Sequence, residues 1–101
     1  MLNQAFQKNI NLMPPTELSW VYIFLDKESM ELNIGLTFNL PKRFSKPDAT
    51  EKLIYYRSFS DPFDALAHKH LLDSLTIESV MHRIKQMNPN LKSLIPEISD
   101  D

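Results

Sequence analysis

Continuous apolar runs mark the first half of the chain, and three- and four-residue apolar spacings mark the second. Trp20-Val21-Tyr22-Ile23-Phe24-Leu25 is unbroken by any charge and is closed by the polar turn Asp26-Lys27-Glu28-Ser29. A short run so rich in β-branched and aromatic residues predicts a buried strand. Glu31-Leu32-Asn33-Ile34-Gly35-Leu36 predicts a second strand, paired with the first as a hairpin. Asn39 to about Ser45 allows a short helix, with Pro41 tolerable only in its first turn. Leu53-Ile54-Tyr55-Tyr56-Arg57-Ser58-Phe59 predicts a third strand.

The second half changes rhythm. Asp61-Pro62-Phe63-Asp64 signals a helix start, with Asp61 as cap, Pro62 at the first helical position and Asp64 as an early acid. Ala65, Leu66, Leu71 and Leu72 supply that helix with apolar residues. Ile77, Val80, Met81, Ile84 and Met87 then fall on one face of a helix from about Thr76 to Met87, ended by Asn88-Pro89. The order β-β-α-β-α-α predicts an α+β fold, with a small, central, three-stranded, mainly antiparallel sheet flanked by helices. Residues 1–18 have weak periodicity and a Pro14-Pro15 pair, and read as an N-terminal arm. Its Phe6, Ile10, Leu12 and Met13 are the side chains with which it would dock on the body. Residues 19–92 form the domain and 93–101 a C-terminal tail, with Asp100-Asp101 expected to fray.

Composition narrows the classes. A chain of 101 residues suits one domain with one core, and a hydrophobic share of 43% suits a globular one. The lack of cysteine removes disulfides, a thiolate nucleophile and Cys-based zinc sites, and fits a reducing compartment. With no signal-peptide pattern at the N-terminus and no apolar run of bilayer length, the expectation is a cytoplasmic protein without membrane contact. The net charge of −2 argues against a nucleic-acid-binding surface. The nearest basic segment is Lys42, Arg43 and Lys46, with Lys52 and Arg57 beyond, and Asp48 and Glu51 interrupt it. The lone glycine, Gly35, suggests a backbone need there: a positive φ or the close approach of another group.

A family resemblance emerges from these residues. Val21-Tyr22-Ile23, then Asn33-Ile34-Gly35-Leu36-Thr37-Phe38-Asn39-Leu40-Pro41-Lys42-Arg43, resembles the two signature strands and first helix of GIY-YIG nucleases. It is most similar to their small single-domain bacterial members, related to the nuclease domain of the bacterial excision-repair enzyme. The similarity continues through Leu53-Ile54-Tyr55-Tyr56, Phe59 and Asp64-Ala65-Leu66 to Met87-Asn88-Pro89-Asn90. It covers roughly residues 19–92, and Gly35 to Arg43 is its most specific element.

What the resemblance implies is a scaffold without its chemistry. Tyr22 matches the family's first tyrosine, and Arg43 its arginine on the first helix. The second tyrosine is replaced by Asn33, the metal-binding glutamate by Lys69, and a histidine beyond the arginine by Pro47; the glycine position is Trp20. An ammonium has no lone pair for a divalent cation and repels it. Losing a Lewis acid worth several kcal/mol costs orders of magnitude in rate, and an amide cannot exchange a proton as a phenol does. The basic equipment is thinner too: only Phe44 to Glu51 separates Arg43 from Lys52, and Asp73-Ser74-Leu75-Thr76 stands where the family is basic. No catalytic residue, metal or cofactor is therefore expected, and Tyr22, Asn33, Arg43 and Lys69 are vestigial positions. Arg43, Lys42 and Lys69 remain as binding candidates. Tyr22 also reads as a packing aromatic, and Arg43 and Lys69 as surface cations. His68 and His70 point to different helix faces, His82 lies on the next helix, and Asp64 with His68 is an ordinary helix pair, so a zinc site is not expected.

The expected function is a non-catalytic binding or interaction module, its partner a protein or a second copy of itself. The alternative is residual nucleic-acid binding, with Kd on the order of 10⁻⁴ M or weaker. A third reading is a divergent nuclease that uses Glu78 or Asp73 as its carboxylate.

Overall fold

A computed structural model describes residues 18–46 and 49–98. The first apolar run forms β1 (Ser19–Asp26), followed by β2 (Leu32–Thr37), α1 (Leu40–Arg43), β3 (Glu51–Phe59), α2 (Pro62–Ser74), α3 (Ile77–Met87) and a short α4 (Ile95–Ile98). The protein is a small α+β domain built on a three-stranded antiparallel sheet of order β2-β1-β3. Residues 1–17 of the expected N-terminal arm, Pro47 and the Asp100-Asp101 terminus lie outside the described residues.

Local chemistry places the element ends. The Asp26 carboxylate accepts from the Glu28 and Ser29 amides at 2.9 and 3.4 Å and closes the hairpin turn. Asn39, expected inside the first helix, is its cap instead, accepting from the Lys42 amide at 3.1 Å, and Pro41 sits in the first turn. Asp61 caps α2 through the Phe63 amide at 2.9 Å. Thr76 caps α3 through the Ser79 amide at 3.1 Å.

The sheet is covered on both faces. On one, Val21, Ile23, Ile54 and Tyr55 pack against Ala65 and Leu72 of α2 and Val80 and Ile84 of α3. On the other, Tyr22 and Leu53 pack with Leu40 and Phe44, bordered by Trp20, Phe24 and Tyr56 and by Leu94, Ile95 and Ile98. Two consecutive residues, Ile54 and Tyr55, share the first face because β3 carries a bulge. Ile23 pairs with Tyr55 and Phe24 with Leu53, so Ile54 is the extra residue. A bulge frees backbone groups from the ladder. The buried Asn88 amide donates to the Ile54 carbonyl at 3.1 Å and to the Lys92 carbonyl at 2.9 Å. Asn88 thus ends α3 and also satisfies the interior of the sheet.

One expectation from the pattern needs correction. Ile77 and Met87 share the apolar spacing of α3 but are exposed. They are the first and last residues of the helix and overhang the layer that Val80 and Ile84 cover. Within the C-terminal tail, the described residues 93–98 dock on the sheet. The Leu94 amide donates to the Leu53 carbonyl at 2.8 Å, and Tyr56 donates to Glu97 at 3.0 Å. A four-residue helix is too short to show a helical period, so its docking is invisible in sequence.

Candidate functional site

Tyr22 and Arg43 come together on the face away from α2. The Arg43 Nε donates to the Tyr22 hydroxyl at 3.2 Å, while its two terminal nitrogens donate to Glu51 at 3.4 and 3.1 Å. Its guanidinium carbon lies 4.6, 5.4 and 5.6 Å from the ring centres of Phe44, Tyr22 and Phe24. Glu51, above all, and Tyr22 hold the guanidinium charged, against the opposing effect of its burial. Arg43 presents a fork suited to a phosphate, and a carboxylate from the first residue of β3 already occupies it.

Gly35 belongs to this cluster. It is the cross-strand partner of Tyr22, and its φ is not positive. A Cβ there would lie 2.7 Å from the tyrosine Cε1 and closer still to Cζ and the hydroxyl. The ring of Tyr22 therefore lies across the glycine, held by edge contact with Phe44 at 5.2 Å between ring centres. Of the two needs that sequence suggests, close approach is the one present.

The other positions singled out by the resemblance are dispersed. Asn33 pairs with Phe24 on the same face as Tyr22, and its amide donates to the Glu31 carbonyl at 3.4 Å. Lys42 is exposed on α1. Lys69 lies on α2, in the layer across the sheet, and pairs with Asp73 at 2.8 Å. Trp20 packs against Tyr56 with ring centres 6.0 Å apart. Glu78 is exposed and lines an open groove of about 380 Å³ with Leu75, Ser79, His82 and Arg83. Among the described residues, no group of three His, Asp or Glu side chains is placed to hold a metal ion.

One polar pair is not apparent from sequence. The Tyr55 hydroxyl and the His68 Nε2 lie 2.9 Å apart, both residues buried between the sheet and α2. The spacing suggests an ordinary helix pair with Asp64; His68 is a core histidine, and Asp64 is exposed. Burial lowers its pKa, and the nearby positive charges of Arg57 and Arg83 lower it further. Burial raises the Tyr55 pKa, with the same two arginines acting in opposition. The available signal is the position of His68, one turn from both Ala65 and Leu72 on the helix. His70 is exposed, and His82 meets Gln86 at 3.2 Å.

No helix among the described residues is long and apolar enough to cross a membrane. No family model, no curated protein and no solved structure matches the chain.

Proposed function

We propose that the chain is a non-catalytic interaction module, built on a GIY-YIG-like scaffold, that associates with protein through the outward side of α2. The observation that carries this reading is a helix apolar on both sides. Ala65 and Leu72 face the sheet, while Phe63, Leu66 and Leu71 are 78%, 43% and 42% exposed. At about 100° per residue, Leu66 and Leu71 lie on either side of Phe63 within about 80°. A surface helix ordinarily turns polar residues outward, and exposed apolar clusters mark contact surfaces.

The state of the family-matched residues supports the absence of catalysis. Asn33 and Lys69 lack the chemistry of the side chains they replace, and Arg43 is neutralised by Glu51. The rival reading, nucleic-acid binding by Arg43, Lys42 and Lys69, loses weight because two of those cations already hold carboxylates. The divergent-nuclease reading is weakened likewise, since Asp73 is engaged by Lys69.

Sedimentation across a concentration series tests the reading, with a second copy as the first partner. Self-association that Phe63→Glu and Leu66→Glu abolish is the expected result. Monomers at every accessible concentration would overturn homodimerisation. Incubation with magnesium or manganese is expected to leave plasmid, single-stranded DNA and RNA intact. Cleavage that disappears in Tyr22→Phe or Arg43→Ala would overturn the non-catalytic assignment.

A further inference from the structure

The sheet has two edges, β3 on one side and β2 on the other, and they are finished differently. The Asp26 amide donates to the Glu31 carbonyl at 2.9 Å, continuing the register that sets Leu25 against Leu32. Hydrogen-bonded pairs then alternate along the antiparallel ladder: Phe24 with Asn33, Tyr22 with Gly35 and Trp20 with Thr37. The N–H and C=O groups of Leu32, Ile34 and Leu36 therefore point away from β1. The same alternation turns the Leu53 carbonyl of β3 outward, and there the Leu94 amide donates to it at 2.8 Å. The Asn88 side chain donates to the neighbouring Ile54 carbonyl, and Glu51, Lys52 and Arg57 put charge along β3. β2 has neither protection. Among the described residues no hydrogen bond from outside the ladder reaches Leu32, Ile34 or Leu36, and Leu32–Thr37 carries no charge. Edge strands ordinarily carry such guards against pairing with another chain.

Outward N–H and C=O groups at strand spacing are matched by another extended strand. The residues around Ile34 fit a second copy. Met30 and Phe38, 66% and 69% exposed, stand at equal distances before and after it. In an antiparallel pair with its two-fold axis at Ile34, Leu32 of one copy lies opposite Leu36 of the other, and Met30 opposite Phe38. Every outward N–H and C=O of the strand then has a partner, and Glu31 falls opposite Thr37, so no like charges meet. The half-buried Leu32, Ile34 and Leu36 side chains gain apolar neighbours on the face that α2 covers. His68 meets Tyr55 and Phe59 of β3, so its side of α2 faces β3. Leu66 lies about 160° round the helix from His68 and so looks toward β2. A stable interface buries about 1,200–2,000 Å². A single extended peptide satisfies the ladder and covers little beyond it, whereas a second copy also covers the apolar residues that flank the strand.

We propose that a second copy of the chain adds to the edge of β2, antiparallel and centred on Ile34, so that two three-stranded sheets become one continuous sheet with Leu66 of each α2 at its flank. The inference rests on the reading that the chain associates with a copy of itself, and it adds the strand, the direction and the register.

Amide hydrogen exchange across a concentration series, with sedimentation of the same samples, tests the edge. Exchange at the Leu32, Ile34 and Leu36 amides is expected to slow about tenfold once most of the protein is dimeric. The register is tested by cross-linking. The chain has no cysteine, so Met30→Cys and Phe38→Cys each carry a single thiol, at an exposed position. An oxidised mixture of the two variants is expected to give the mixed disulfide in preference to either symmetric one. In this register Met30 and Phe38 meet, whereas each lies beyond disulfide reach of its own counterpart. A dimer whose Leu32, Ile34 and Leu36 amides exchange as in the monomer would overturn the edge and leave association through α2 standing. Slowed amides in a dimer that survives Phe63→Glu and Leu66→Glu would overturn the α2 reading and leave the edge standing. Slowed amides without preference for the mixed disulfide would overturn the register. Full protection of those amides in the dilute monomer would overturn the second copy as occupant, because the edge would then be covered from within the chain. Monomers at every concentration would overturn both readings.

Discussion

Tyr22 and Tyr55 stand on neighbouring strands of one sheet, point to opposite faces, and each hydroxyl meets a basic side chain. Around Tyr22 the positive charge is closed off: Arg43 binds the hydroxyl and both oxygens of Glu51, with three aromatic rings around it. Around Tyr55 the partner is the buried His68 ring, and burial favours the uncharged form of both groups. The residue types are alike, but the capacity differs. An arginine satisfied from within acts as a structural tie, because an incoming anion would have to displace a carboxylate already in place. A buried neutral pair instead holds its helix to the sheet with no charge to balance.

The largest expected effect breaks the Tyr22 side. Gly35→Ala forces a methyl group into the tyrosine ring, and Phe44 blocks its retreat. A loss of about 3 kcal/mol in denaturant unfolding is expected, the upper end of overpacking costs. Partial recovery in the double variant with Tyr22→Ala would locate the strain at that contact.

Asn88→Ala breaks the other side at the bulge that turns Ile54 and Tyr55 to one face. It removes the donor to the buried Ile54 carbonyl and the bonds to Lys92. The expected loss is about 2 kcal/mol, the cost of an unsatisfied buried group.

Glu51→Gln sharpens the comparison by releasing the Arg43 fork from its carboxylate. The pair is partly exposed, so the stability cost is expected to be only about 1 kcal/mol. The variant is also expected to gain phosphate sensitivity at Arg43, visible in a titration that leaves the wild-type Tyr22 side unmoved.

The smallest effect is a pH slope from His68. Its folded-state pKa lies below the ordinary value of 6.5. Below that value the unfolded chain takes up a proton that the folded chain resists, so stability falls as pH falls. The contribution is full above about 6.5 and is lost as pH falls toward and through the lower folded-state pKa. Melting temperatures between pH 8 and pH 5 are expected to show this slope, and His68→Gln is expected to flatten it.

Much of the fold is legible in sequence because it rests on local rules. The run from Trp20 to Leu25 alternates between two covered faces, so it is apolar throughout, and a buried strand is the element its length allows. Asp61-Pro62 and Thr76 start helices through hydrogen bonds that span two or three residues, and sequence displays such spacings directly. The lone glycine signals a backbone need, a positive φ or a close approach, and nothing in sequence says which, or that Tyr22 is the group approaching.

What sequence leaves open depends on contacts between residues far apart in the chain. Glu51 reads as an acid interrupting a basic segment, and only the strand pairing that sets β3 beside β1 makes it the counter-charge of Arg43. His68 reads as half of an ordinary helix pair with Asp64, and only the packing of α2 turns it toward Tyr55. Asn88 reads as a helix stop, and the bulge at Ile54 gives its amide a second task. Sequence by itself determined the strands, the helix starts and the need for a glycine, because these are set by side-chain shape and by hydrogen bonds within a turn. Tertiary structure alone decided that Glu51 neutralises Arg43 and that His68 is buried against Tyr55, because these depend on distance in space and on burial, and neither follows from separation along the chain.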